Sequence, residues 1–229
     1  MNMYICRMAY LLHIETSSNC CSVALSEDAV LKGVLEEIQP NTHASSLPLF
    51  IQELLRQNGL STRDLAAVAV GIGPGSYTGL RVGLSLAKGI CMVNDIPLIA
   101  LSSLKIMAKG MQERYPTHSG YFVPLVDARR MEVYTAQYEQ NLEVIKSEYA
   151  LIVKEQDWSE SSIPCLFGGS GVLKVKQLLG ESENRIFDGE NQFNSARFMP
   201  DLAFEKFLKK EFADLAYTEP AYLKEWGQF

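Results

Sequence analysis

Histidine is scarce in this chain: three residues in 229, at positions 13, 43 and 118. None falls into H-x-x-x-H or H-E-x-x-H, so a helical pair of metal ligands cannot be built from them, and no metal site is expected. His13 lies in an apolar strand pattern and reads as a core residue, and His43 follows a helix start and reads as structural. The cysteines, Cys6, Cys20, Cys21, Cys91 and Cys165, are odd in number and contain no C-x-x-C. That argues against a disulfide framework and for reduced thiols. No apolar run approaches the ~20 residues of a membrane span. The opening "MNMYICRMAYLLHIETSS" has only a short apolar run, broken by His13 and ended by Glu15, with no small-residue cleavage site. It is not a signal peptide, and a cytoplasmic protein with no membrane partner is expected. Basic charge is short as well: 21 Lys and Arg against 27 Asp and Glu leave a net charge of −6. Such a chain is not expected to grip a nucleic-acid backbone alone.

What is present is a large core and a repeated pattern. Apolar residues make up 47% of the chain, enough for one large domain or two packed together. Runs at 9–15, 20–27 and 29–38 read as a β-meander. A helix follows, with Thr42 as its N-cap and Leu47, Phe50, Ile51, Leu54 and Leu55 at helical spacing. "DLAAVAVGIGPG" reads as a strand buried on both faces, 78–93 as a helix and "IPLIALSS" as a further strand. The order then recurs loosely: strands at 121–128, 131–138 and 142–153, a strand in "IPCLFGG", a helix in "SGVLKVKQLL" and a last helical segment at "SARFMPDLAFEKFLKKEF". Two α/β lobes facing each other across a cleft are predicted. The boundaries are an extension at 1–8, with Met8 as an alternative start, a first lobe at 9–103 completed by the helix near 195–212, a second lobe at 104–194 and a tail at 213–229.

"GIGPGSYTGLR" (71–81) raises a choice between phosphate binding and a structural turn. It lacks G-x-x-x-x-G-K-[ST], and G-x-G-x-x-G fails at Ser76 when counted from Gly71 and at Thr78 from Gly73. Glycines that tolerate positive φ, a stiffening Pro74 and a Ser76 or Thr78 cap favour the structural turn. The helix that follows is apolar nearly all round and slim. It is buried either against its own sheet and helices or against another subunit, with Arg81 and Lys88 at the rim. The residues a nucleotide would meet are Glu15, Thr16, Gly168 and Gly169. Asp127, Arg129 and Arg130 sit at a hairpin, and the two arginines read as a solvated tip.

Taken together, "LLHIETSSNCCSVAL", "VGIGPGSYTGLRVGLSLAKGI", "IPLIALSSL", "VPLVDARRMEVY" and "EPAYLK" resemble the TsaB (YeaZ) family over nearly the whole chain. The resemblance implies an α/β, actin-like and Hsp70-like ATPase (ASKHA) fold of two RNase-H-like lobes, each with a mixed sheet flanked by helices. It also implies no catalytic residues and no cofactor in this chain. The implied role is a scaffold for TsaD, and through it for the ATPase TsaE, in threonylcarbamoyl transfer to A37 of ANN-decoding tRNAs. ATP and metal would be bound by the partner subunits, tRNA would be met only through the complex, and a homodimer is an alternative assembly. For the helical partner interface the expected residues are Leu47, Phe50, Ile51, Leu80, Arg81, Leu84 and Lys88. Two other readings stay open: an actin-fold phosphotransferase or hydrolase using Glu15 or Asp127 with magnesium, and a glycoprotease-like peptidase whose metal ligands are missing.

Overall fold

A computed structural model describes residues 8–39, 43–159, 161–189 and 193–223. The Thr42 cap, most of the N-terminal extension and Lys224 with the rest of the tail lie outside the described residues. Two five-stranded mixed sheets form the frame. The first contains β1 (Tyr10–Glu15), β2 (Cys20–Glu27), β3 (Val30–Ile38), β4 (Leu65–Gly71) and β5 (Leu98–Leu101), in the order β3-β2-β1-β4-β5. The second contains β6 (Tyr121–Asp127), β7 (Glu132–Tyr138), β8 (Val144–Ile152), β9 (Cys165–Gly168) and β10 (Arg185–Phe187), in the order β10-β9-β6-β7-β8. Counted within its own half, each sheet runs third, second, first, fourth, fifth. The polarity repeats too: β1 is antiparallel to β2 and parallel to β4, as β6 is to β7 and β9. The loose repetition in the sequence is therefore a duplicated topology.

The helices divide unevenly between the sheets. α1 (His43–Gln57) and α2 (Tyr77–Asn94) lie side by side on the outer face of the first sheet. They bury Leu47, Ile51, Leu54, Leu84, Ala87 and Cys91 against Leu12, Ile14, Val23, Val68 and Val70. α2 begins at Ser76, whose Oγ accepts from the Gly79 N–H at 3.2 Å, and ends at Asp95 in the left-handed conformation. α3 (Ser103–Arg114) was not anticipated from the sequence, although its signals are there. Ser102 caps it, and Leu104, Met107, Ala108 and Met111 recur at helical spacing and are all buried.

α3 packs on β6 of the second sheet, while α5 (Pro200–Lys209) returns to β5 and β1 of the first. Leu11, Ile99, Leu101, Phe122, Leu166 and Met199 consequently share one apolar core between the sheets. Among the described residues, α4 (Val172–Leu179) is the one helix on the outer face of the second sheet, and it packs on Phe167 and Cys165.

Candidate functional site

The glycine-rich turn is where backbone meets backbone. A Cβ on Gly75 would lie 2.3 Å from the Ser17 carbonyl oxygen, and one on Gly79 would lie 2.1 Å from that of Thr16. The Ser76 N–H donates to Ser17 O at 2.7 Å, and Thr16 Oγ1 donates to Gly79 O at 2.8 Å. The turn and the first residues of α2 thus sit directly on the β1–β2 hairpin. Gly73 has φ +113 and precedes Pro74 through a cis peptide bond. Its seat is completed by the C-terminal segment, where the Ala221 N–H donates to Ile72 O at 2.7 Å. The geometry is that of a structural joint.

Glu15, the last residue of β1, lies beneath this joint and is 0% exposed. Its Oε1 accepts from the Ser17 N–H at 2.6 Å and its Oε2 from Ser103 Oγ at 3.2 Å. Ser103 Oγ in turn accepts from the Gly73 N–H at 3.2 Å, so one carboxyl group links the hairpin, the glycine turn and the start of α3. A Cβ at Gly71 would lie 2.2 Å from Glu15 Oε2. Burial pushes the Glu15 carboxyl above the ordinary carboxylate range, and the hydrogen bonds from Ser17 and Ser103 oppose that shift. Asn194 ties the same corner to the returning chain, donating to Ser17 Oγ at 3.1 Å and to Ser103 O at 2.8 Å.

A cleft of about 910 Å³ lies beside this corner. One wall carries Ser17, Ser18, Ser76 and Thr78, and the other carries the β6–β7 hairpin with Asp127, Arg129 and Arg130. Lys174 on α4 reaches under that hairpin. Its ammonium pairs with Asp127 Oδ1 and donates to the carbonyls of Arg130, at 2.9 Å, and Glu132. Arg129 and Arg130 both adopt positive φ, +68 and +47. Nothing in the sequence marks Lys174, because its three partners are distant in the chain.

The residues read as nucleotide contacts do not fit a magnesium nucleotide. Glu15 is enclosed and occupies the Ser17 amide that a phosphate would need. Thr16 is 0% exposed, with its hydroxyl bonded to α2. Gly168 and Gly169 serve packing: a Cβ would meet Met111 Sδ at 3.1 Å and Met107 Sδ at 2.3 Å, respectively. Asp127 is held by Lys174. Among the described residues, no group of three or more His, Cys, Asp or Glu side chains is placed to hold a metal ion. No helix among them is long and apolar enough to cross a membrane.

A family model described as TsaD, tRNA N6-adenosine threonylcarbamoyltransferase, matches residues 20–160. The tRNA threonylcarbamoyladenosine biosynthesis protein TsaB of Escherichia coli (strain K12) is 31% identical over 224 residues, 93% of this chain and 94% of that protein. The chain belongs to the TsaB family. YeaZ from Pseudomonas aeruginosa superposes with a TM-score of 0.83 at 25% identity, covering 94% of this chain and 100% of that one. The fold extends further. Component A of (R)-2-hydroxyglutaryl-CoA dehydratase from Acidaminococcus fermentans shares it with a TM-score of 0.53 at 12% identity, covering 86% of this chain and 98% of that one. The actin-like, two-lobed α/β architecture expected from the resemblance is the one observed.

Of the residues expected at a partner interface on α1 and α2, four are enclosed in the chain's own core. Leu47, Ile51, Leu80 and Leu84 are 0%, 5%, 1% and 5% exposed. They fill the chain's own core, so their side chains cannot form an interface without unfolding it. Phe50 and Lys88 are half-buried and Arg81 is exposed. Arg81 is already engaged: its Nε donates to Tyr222 Oη at 3.1 Å and its guanidinium lies 4.0 Å from the Tyr77 ring centre. The open face of α2 instead carries Ser85, Gly89, Met92 and Val93, the last two 80% and 83% exposed, and α1 adds Leu49 at 62%.

Proposed function

We propose that this chain is a non-catalytic scaffold that binds TsaD, and through it TsaE, for threonylcarbamoyl transfer to A37 of ANN-decoding tRNAs. The observation that carries this reading is the outer face of α2. Gly89 lies inside an 18-residue helix, and a Cβ there would meet nothing within 4 Å. A helical glycine costs about 1 kcal/mol relative to alanine. Gly79 and Gly83 are explained by close approach to Thr16, and Gly89 has no such internal reason. With exposed Ser85, Met92 and Val93 beside it, it suits the close approach of a helix from another subunit. TsaD is read as that subunit, carrying its own metal, with ATP bound by TsaE. The enclosed Glu15 and the Lys174-bound Asp127 count against the phosphotransferase reading.

The test is transfer to tRNA by TsaD, TsaE and ATP, with and without this chain. Wild-type protein should be required. Gly89→Glu should stay folded, because it replaces an exposed glycine by a better helix former, and yet lower transfer by about tenfold or more by placing a charge on the docking face. Transfer that proceeds equally well without the chain, or with the Glu variant, refutes the scaffold reading.

A further inference from the structure

The cleft holds a feature that the scaffold role does not use. Two consecutive arginines occupy the tip of the β6–β7 hairpin, both at positive φ. Left-handed conformations are unfavourable for a residue with a Cβ and are taken readily by glycine and, less so, by asparagine. The strained tip is held rigidly, because Lys174 bonds the carbonyls of Arg130 and Glu132, and the Asp127 carboxylate both pairs with Lys174 and accepts from the Arg129 N–H at 3.1 Å. Among the described residues neither guanidinium has an ion-pair or hydrogen-bond partner, although ten ion pairs form there, one of them, Asp127 with Lys174, at this hairpin. The acid and the lysine that could have competed for the arginines or repelled them are instead paired with each other beneath the turn. The wall opposite offers the hydroxyls of Ser17, Ser18, Ser76 and Thr78.

We propose that Arg129 and Arg130 form an anion site that holds one phosphoryl group at the mouth of the cleft without a metal ion. Two forked guanidinium groups facing hydroxyl donors suit a tetrahedral anion with several acceptor oxygens better than a planar carboxylate. Metal assistance has no place here, since Glu15 is enclosed and Asp127 is taken by Lys174. The first hairpin cannot supply a second phosphate cradle, because Glu15 already fills its Ser17 amide. The site is thus built for a single phosphate, from a nucleoside monophosphate or from an RNA backbone. It does not depend on the docking of TsaD.

The experiment is calorimetric titration of the full chain in EDTA with adenosine monophosphate, with adenosine, with a short single-stranded RNA and with a short polyglutamate. Adenosine monophosphate or the RNA should bind saturably, and adenosine about tenfold more weakly or not at all. Tighter binding by one of the two phosphate probes identifies the source, and either supports the site. Replacing the tip by residues that tolerate positive φ, Arg129→Asn with Arg130→Gly, should abolish binding while raising Tm by about 2–4 °C. Lys174→Met keeps both guanidinium groups but frees the turn, and should weaken binding by about threefold or more through lost preorganisation. The proposal fails if neither phosphate probe binds in EDTA or if adenosine matches its monophosphate. It also fails if polyglutamate binds as tightly, or if the Asn-Gly turn binds like wild type.

Discussion

Glu15 and Asp127 hold corresponding places in two sheets of the same topology, each the last residue of the first strand and the start of its hairpin. Their environments are opposite. Glu15 is wholly buried under the glycine turn, accepting from Ser17 and Ser103, whereas the Asp127 side chain is 49% exposed and pairs with Lys174. A buried acid organises the first hairpin from within, and a partly exposed ion pair holds the second from beneath. The shared topology sets the positions, and the side chains that reach them decide what each hairpin does. In the first half the hairpin became a foundation for α2. In the second it stayed open to the cleft, with two arginines at its tip.

The comparison breaks most visibly where the covered hairpin touches α2. Gly79→Ala should destabilise the chain by about 3 kcal/mol or more, because the new methyl group meets the Thr16 carbonyl, which cannot move without distorting β1 and β2. Gly89→Ala, ten residues on in the same helix, meets open space and should stabilise it by up to about 1 kcal/mol. Urea unfolding midpoints of the two variants should move in opposite directions. Equal shifts would mean that α2 is not seated on the hairpin.

The next effect contrasts the two acids themselves. Glu15→Ala leaves the Ser17 amide without its acceptor inside a closed corner and should cost about 2–3 kcal/mol. Asp127→Ala removes a partly exposed ion pair and should cost about 1 kcal/mol or less. Similar losses at the two positions would abolish the distinction drawn between the halves.

How far the sequence carries these distinctions depends on distance along the chain. Both meanders, the central β4 and the capped start of α2 follow from local alternation, an apolar run and Ser76 beside its glycines. α3 is hard to see in the sequence because its apolar residues are interrupted by Lys105, Lys109 and Gly110, although their spacing is helical. The inward face of α2 is hidden in the sequence for a different reason. A helix apolar on most sides offers no polar stripe to mark the outside, so Leu80 and Leu84 look as available as Met92 until the sheet is in place. Lys174 lies 47 residues from Asp127, and the enclosure of Glu15 depends on Gly71, Gly73 and Ser103. Such contacts are made by the topology and leave no local trace.

The smallest effect at neutral pH concerns the strand interiors two residues before the acids, where the first sheet has His13 and the second Leu125. His13 is 0% exposed, with Nε2 bonded to Ser26 Oγ at 2.8 Å, and burial lowers its pKa from the ordinary 6.5 to about 3. The native ring stays neutral while the unfolded ring takes up a proton below pH 6.5. The unfolded state therefore binds more protons between pH 6.5 and 3, and stability falls as the pH drops through that window. His13→Leu copies the second sheet and removes the titrating group. It should change stability at pH 7 by about 1 kcal/mol or less, since Ser26 Oγ keeps its bond to Asp28 O. Between pH 7 and pH 5 the wild type should lose about 2 kcal/mol more than the variant in urea unfolding. Parallel pH profiles would mean that His13 carries its proton in the folded chain, and the two sheets would then differ in buried charge as well as in their hairpins.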